Sequence, residues 1–271
     1  MISPPNIVIV IQARTGSTRF PNKILQPILG SPVLSLMIER VQRSKFSDGL
    51  VIATTNESTD DVIVKLCEKE NVCCYRGHST DLLGRHYQAS FKRNADIVVK
   101  IPSDCPLIDP DIIDKVIDYY LENRSAYDYV SNLHPATYPD GNDVEVFPFN
   151  ILQTAWKEAS KNFEREHTTP FVWDNPERFR IGNVTWETGL DYSMTHRLVL
   201  DFPADYELIK AVYEELYPDN PQFALNDIIA LLDRRQDIKA LNSKYAGVNW
   251  YRLHINELKT INSDSTNLIS G

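Results

Sequence analysis

Ile7-Val8-Ile9-Val10-Ile11 is an unbroken run of β-branched residues. Such residues favour a pleated strand, and a run without polar alternation fits a strand buried on both faces. A strand of that kind needs helices above and below it, so this one segment already asks for a layered α/β sheet. The next hundred residues supply the rest. Ser31 reads as the cap of a helix with Pro32 at its first position and Val33, Leu34, Met37, Ile38 and Val41 on its apolar face. Leu50 to Ala53 is a second strand. Ser58 and Asp61 open a helix in capping-box style, with Val62, Ile63 and Leu66 facing inward. Val72 to Tyr75 is a third strand, His86 to Arg93 a helical segment, and Ile97 to Val99 with Ile101 a fourth strand. Asp109 caps a helix that begins at Pro110.

This alternation gives a mostly parallel sheet flanked by helices, with right-handed crossovers that place every strand's C-terminal end along one edge. Ligands bind at that edge, so the functional loops are expected at 12–23, 76–85 and 102–109. After about Ser125 the pattern turns mixed. Strands are expected at Tyr127 to Val130, Asp143 to Phe147, Phe179 to Val184 and Arg197 to Leu200, and helices at Ile151 to Ser160, Pro203 to Leu216 and Asn226 to Asp233. The tail from Tyr245 has no firm period, and Asn262 to Gly271 reads as frayed.

Composition narrows the function. Lys plus Arg is 28 against 37 Asp plus Glu, a net charge of −9. An acidic chain is a poor binder of nucleic acid polymers, whose affinity comes from phosphate neutralisation. No apolar run approaches the roughly 18 residues of a membrane span, and Met1 to Asn6 lacks a secretory start. The cysteines, Cys67, Cys73, Cys74 and Cys105, form no C-x-x-C pair, and they read as buried free thiols of a reducing cytoplasm. The ten glycines never form G-x-G-x-x-G, and P-loop, H-E-x-x-H and G-x-S-x-G motifs are absent.

Against this acidic background one loop stands out. Gln12-Ala13-Arg14-Thr15-Gly16-Ser17-Thr18-Arg19-Phe20-Pro21-Asn22-Lys23 carries three cations, three hydroxyls and a glycine directly after the first strand. Gly16 permits close backbone approach, and Arg14, Arg19 and Lys23 can offset the roughly −4 charge of a nucleoside triphosphate. Two carboxylates fall at other strand ends. Asp104 follows the fourth strand, next to Ser103, and Asp201 follows Arg197 to Leu200. One Mg2+ bridging phosphates takes one or two protein carboxylates and completes its shell with phosphate oxygens and water. Asp109 is a helix cap, so Asp109-Pro110-Asp111 is not taken as a metal site.

The stretch Arg14 to Lys23 resembles the signature loop of the CTP-dependent sugar-acid cytidylyltransferases: the CMP-Kdo synthetases, the CMP-sialate synthetases and the SpsF-type spore-coat polysaccharide enzymes. Its R-x-x-S-T-R-x-P-x-K wording is nearer the Kdo and SpsF branches. Asp104-Cys105-Pro106-Leu107-Ile108-Asp109, Pro139 to Phe147, Arg165-Glu166-His167-Thr168-Thr169-Pro170 and Asp201 to Glu207 are similar to further SpsF-type motifs. The resemblance spans about residues 6 to 235. It implies a Rossmann-like sheet of the nucleotide-diphospho-sugar transferase type over residues 1–245, with a substrate and dimerisation excursion at 125–195 and a separate tail at 246–271. It also implies roles. Gln12, Ala13 and Arg14 meet the cytosine and ribose side, with Gly16 and Ser17 in the same loop. Arg14, Arg19 and Lys23 hold the triphosphate. Arg76 lies near the base, with Asp81 and Arg85 in the accompanying loop. Asp104 and Asp201 ligate Mg2+. The Kdo branch has glutamine at the place of Pro102 and glutamate at that of Cys105. SpsF-type enzymes usually have a hydrophobic residue where Asn142 stands.

Lys100, Asp143, Glu145, Arg165, Glu166 and His167 are candidates to line the acceptor side, with Arg165 and His167 suited to a carboxylate or phosphate. The expected activity is Mg2+-dependent transfer from CTP to an acidic sugar or a phosphorylated small acid or polyol, for surface polysaccharide synthesis, in a cytoplasmic homodimer. Two alternatives remain open here. One is a nucleotide-sugar glycosyltransferase using a D-x-D triplet; the other is a non-catalytic nucleotide-binding subunit.

Overall fold

A computed structural model describes residues 4–269. The central sheet is built from seven strands: β1 (Ile7–Gln12), β4 (Val51–Thr55), β5 (Cys73–Gly77), β6 (Ile97–Pro102), β7 (Tyr129–Ser131), β8 (Glu145–Pro148) and β9 (Ile181–Asn183). A separate small hairpin, β2 (Pro27–Ile28) and β3 (Ser31–Pro32), lies between β1 and the first helix. The strand order is β5-β4-β1-β6-β8-β7-β9. Strands β5, β4, β1 and β6 are parallel, β8 runs antiparallel to both neighbours, and β9 is parallel to β7. The sheet is therefore mostly parallel, as the strand–helix alternation requires.

The opening run explains the layering. Ile9 and Ile11 point to one face of β1, and Val8 and Val10 to the other; all four are buried. The first face is covered by α1 (Val33–Val41), α2 (Asp61–Lys69), α4 (Pro110–Asn123), α8 (Pro203–Leu216) and α9 (Leu225–Arg234). The second is covered by α3 (Leu82–Lys92), α5 (Phe149–Glu158), α6 (Asn162–His167) and α7 (Pro170–Trp173). The short helix α10 (Gln236–Ala240) follows α9. Each buried aliphatic side chain contributes about 1.5–3 kcal/mol, so the four buried residues of β1 anchor it firmly between the two helix layers.

Several local expectations are corrected. Ser31 and Pro32 belong to β3, so α1 starts at Val33 with Pro32 in the cap position and no side-chain cap bond. Ser58 to Asp60 form a 3-10 turn, Asp60 precedes α2, and Val62 points to solvent. Helix α3 begins four residues earlier than its apolar spacing suggests, because the Asp81 carboxylate caps it by accepting from the Gly84 amide at 2.9 Å. Arg197 to Leu200 is extended but joins no sheet; its pairing is one isolated bridge between Arg197 and Asp140. Cys67 and Cys105 are buried, while Cys73 is exposed on the edge strand β5 and Cys74 half-buried. The stretch expected to fray is packed as far as it is described: Thr266 is buried and the Asn267 amide donates to the Gly247 carbonyl at 2.7 Å. Ser270 and Gly271, and Met1 to Ser3, lie outside the described residues.

Candidate active site

In the strand order, the chain leaves β1 in one direction towards β4 and β5 and in the other towards β6. The crevice beyond the C-terminal ends of β1 and β6 is thus the topological switch point, where such sheets bind ligands. The loop 12–23 leaves β1 at this place, and Asp104 lies two residues beyond β6.

The third component arrives by a different route. Leu198 and Leu200 are fully buried, whereas Arg197, Val199 and Asp201 face a cavity, a period of two along an extended segment. This segment is tied to the sheet edge by backbone bonds: the Leu198 amide donates to the Asp140 carbonyl and the Leu200 amide to the Asp104 carbonyl, both at 2.7 Å. The second bond sets Asp201 beside Asp104. Asp205 in the first turn of α8 then fixes the corner by accepting from the amides of Asp201 and Phe202, each at 2.9 Å.

Lys23 joins the two acids. Its ammonium donates to Asp201 Oδ1 at 2.9 Å and the Leu200 carbonyl at 2.6 Å, and lies 3.6 Å from Asp104 Oδ2. Arg19 Nη2 reaches Asp201 Oδ1 at 2.7 Å. Burial opposes the charge on Lys23, yet Asp104 and Asp201 outweigh it and raise the pKa. Burial likewise pushes the Asp201 carboxyl up, and Lys23, Arg19 and Arg197 override it, so this carboxyl sits below the usual range. Both charges persist at neutral pH. Two carboxylates meeting at a cleft, with a cation already between them, are a donor set that fits a hard divalent ion. Among the described residues no group of three or more His, Cys, Asp or Glu forms an all-protein cage.

The cationic loop is shaped by a residue the sequence did not single out. Asp60 accepts from the Thr15 amide at 2.8 Å and the Thr15 hydroxyl at 2.6 Å, and also from the Thr55 hydroxyl. Burial would raise its pKa, but the bonds from Thr15 and Thr55 bring it down. Its only sequence signal is a place among helix-opening residues. Gln12 Oε1 is buried, has no hydrogen-bond partner and lines the cavity. Ala13 is buried, and its amide donates to the Ala53 carbonyl. Arg14 is exposed, Ser17 accepts from the Phe20 amide at 3.4 Å, and a Cβ at Gly16 would meet open space.

The remaining candidates separate. Arg76 is tied to the end of β4 through the carbonyls of Thr55 and Glu57 and through Asp61 at 2.6 Å. Arg85 is buried and donates to the carbonyls of His78 and Ser79; burial lowers its pKa to about 10. Arg165 pairs with Asp81 at 2.5 Å, so that both are engaged with each other beside α3. Glu166 is exposed, and Ser103 lies outside the cavity lining. Asn142 is buried and accepts from the Asp109 amide, an internal polar link.

Lys100, Asp143, Glu145 and His167 do line the cavity, whose volume is about 690 Å3. The Lys100 ammonium and Glu145 carboxylate form a buried ion pair, and Tyr129 donates to Glu145 at 2.7 Å. Burial and then the Asp104 charge push Asp143 up to about 7, and burial holds Asp140 well above the ordinary range despite Arg197. Burial lowers His167 to about 3 and His134 to about 4, so both imidazoles are neutral.

Residues 8–226 match the Cytidylyltransferase family. The chain belongs to that family. An uncharacterized protein of Methanocaldococcus jannaschii is 35% identical over 88% of this chain and 94% of its own length. The spore coat polysaccharide biosynthesis protein SpsF of Bacillus subtilis is 30% identical over 86% and 96%. A solved cytidylyltransferase from Leptospira borgpetersenii superposes with a TM-score of 0.82 at 33% identity, covering 87% of this chain and 97% of the other. The cytidylyltransferase family places the chain among enzymes, and a nucleotidyltransferase sheet is the fold that carries the site.

Proposed function

We propose that this cytidylyltransferase joins CTP to a small acidic acceptor, a sugar acid or a phosphorylated small acid or polyol, and releases pyrophosphate. The observation that carries this reading is the convergence of Lys23, Asp104 and Asp201, from three distant parts of the chain, at the switch point of the sheet. A reaction at the α-phosphorus asks mainly for positioning and charge neutralisation. Arg14, Arg19 and Lys23 neutralise the triphosphate and hold the departing pyrophosphate in line with the attacking oxygen. Gln12, with its unpartnered Oε1, offers a hydrogen-bond acceptor beside the nucleotide. Asp104 and Asp201 would hold the divalent ion, Mg2+ in this reading, which supplies Lewis-acid neutralisation of phosphate oxygens. If the attacking group is a phosphate oxygen no base is needed; a sugar hydroxyl needs a proton acceptor in the cleft.

The likeness to SpsF supports a role in surface polysaccharide synthesis, and the family resemblance supports a homodimer in the cytoplasm. Light scattering checks the assembly against the 31.0 kDa of one chain. The reaction itself is tested by incubating the protein with CTP, Mg2+ and a panel of acids and following pyrophosphate and product mass. CTP-dependent pyrophosphate release with a CMP-linked product is expected. Tight CTP binding with no release on any acceptor would favour a nucleotide-binding subunit instead. Turnover of a preformed sugar nucleotide would favour a glycosyltransferase.

A further inference from the structure

The carboxylate oxygens that suit a divalent ion are the ones Lys23 already engages. Its ammonium lies 2.9 Å from Asp201 Oδ1 and 3.6 Å from Asp104 Oδ2, so it bridges the two acids. A third contact, to the Leu200 carbonyl at 2.6 Å, holds it in that place. Arg19 Nη2 shares Asp201 Oδ1 at 2.7 Å, and Arg197 Nη2 stands 3.5 Å from Asp201 Oδ2. Both oxygens of Asp201 are thus faced by cations of the chain itself.

Charge decides what can replace them. Lys23 and Arg19 balance the two carboxylates, and Arg197 is balanced by Asp205 on α8. A divalent ion entering alone adds two positive charges to a neutral cluster. The Lys23 and Asp201 side chains are only 12% and 13% exposed, and like charges repel strongly where water is scarce. Mg2+ also demands near-ideal octahedral geometry at about 2.0–2.1 Å, so one set of lone pairs cannot serve the ion and the ammonium together. A triphosphate reverses the balance. It offers anionic oxygens to Lys23 and Arg19 in place of Asp201, and it supplies further oxygens to the ion.

The two sides of this exchange differ in stiffness. Asp201 is fixed through its backbone, because its amide and that of Phe202 both donate to buried Asp205 at 2.9 Å. Lys23 is fixed only near its Cα. The Asn22 amide donates to the Thr15 carbonyl at 3.0 Å, and Ile24 is fully buried. Its flexible four-carbon stem is left to swing the charge.

Resting on the cytidylyl-transfer reading, we propose that Lys23 is an exchangeable plug of the divalent-ion site. It bridges Asp104 and Asp201 until CTP enters, then passes to the phosphate chain, so the ion is admitted with the nucleotide and not before it. The coupling is reciprocal: the factor by which CTP raises the affinity for the ion is the factor by which the ion raises the affinity for CTP.

The test needs no acceptor and uses Mn2+ as the probe ion. Electron paramagnetic resonance and water-proton relaxation measure bound Mn2+ on the full chain, on Lys23→Gln, on Lys23→Met, and on Lys23→Met combined with Asp201→Asn. Circular dichroism shows whether each variant folds, and Mn2+ held by free CTP is subtracted. Without nucleotide, the full chain should bind Mn2+ roughly tenfold or more weakly than either Lys23 variant, and Asp201→Asn should remove the gain. CTP should tighten Mn2+ binding by the full chain by a similar factor. Calorimetry in EDTA should show CTP binding to the full chain and weaker binding to both Lys23 variants. Equal Mn2+ affinity in the full chain and a folded Lys23 variant overturns the plug, as does a gain that survives Asp201→Asn. Mn2+ binding by the unaltered chain that is as tight without CTP as with it overturns the plug even if no variant folds. Each of these outcomes leaves the transferase reading intact. That reading falls separately, if the full chain releases no pyrophosphate on any acceptor while the Mn2+ gain in the Lys23 variants still upholds the plug.

Discussion

At the scale of single residues, the site rests on charges that burial opposes and neighbours restore. Asp104 and Asp201 are held beside Lys23, but only Asp201 also has Arg19 within reach. Replacing Asp104 with asparagine therefore keeps the shape of the cleft and removes one of two anionic donors. Asp104→Asn is expected to abolish pyrophosphate release while calorimetry still detects CTP binding; normal turnover would remove the metal role. His86 makes a different statement, about stability. It is fully buried on α3, with Nδ1 3.0 Å from the Leu82 carbonyl and 3.3 Å from the Thr168 hydroxyl. Burial holds its pKa down to about 3, whereas an unfolded histidine titrates at about 6.5. The unfolded chain thus takes up a proton over that interval and the folded chain does not. The stability linked to His86 is complete above pH 6.5 and falls as pH drops towards 3, by up to ~1.4 kcal/mol per pH unit. Urea unfolding at pH 7.5 and 5.0 should show the loss, and His86→Gln should shrink the difference between the two pH values by about 2 kcal/mol.

At the scale of elements, the loop after β1 and the segment before α8 are each held by one buried carboxylate. Asp60 holds the loop by gathering both polar groups of Thr15 with the Thr55 hydroxyl. Truncating it orphans those donors, each worth about 1–3 kcal/mol when left unmade in the interior. Asp60→Ala should weaken CTP binding at least tenfold and speed amide exchange over residues 14–20; unchanged exchange there would show that the loop needs no such anchor. The loop's composition was legible because its cations stand out in an acidic chain. Its anchor was not, because an aspartate ahead of a helix reads as an ordinary cap. The Arg197–Leu200 segment was legible as extended from its short apolar run, Leu198-Val199-Leu200. Its alternation buries Leu198 and Leu200 while backbone bonds run to Asp140 and Asp104, outside the sheet ladder. Arg165 shows the converse: a cation in a family-like motif that the fold turns towards Asp81.

At the scale of the whole molecule, Arg197 connects parts that are remote in the chain. Its guanidinium binds Asp205 on α8, Asp140 before β8, and the Val248 carbonyl of the tail. Asp205 is fully buried, so removing its partner leaves a buried charge uncompensated. Arg197→Ala should destabilise the protein by about 3–5 kcal/mol, read by urea unfolding, and should expose the tail to limited proteolysis; a tail that stays protected would mean that Asp174, which accepts from the Lys259 and Thr260 amides, and the Trp250 ring stacked on His167 hold it unaided. The sequence by itself determined the layered, mostly parallel sheet and the cationic loop that follows its first strand, because β-branched runs, helix caps and charge contrast act over a few residues. Tertiary structure alone decided that Asp201 stands beside Asp104, that Arg165 turns away, and that an aperiodic tail walls the cavity. Those outcomes depend on backbone bonds and ring contacts between residues roughly 80 to 100 positions apart, and no local pattern records them.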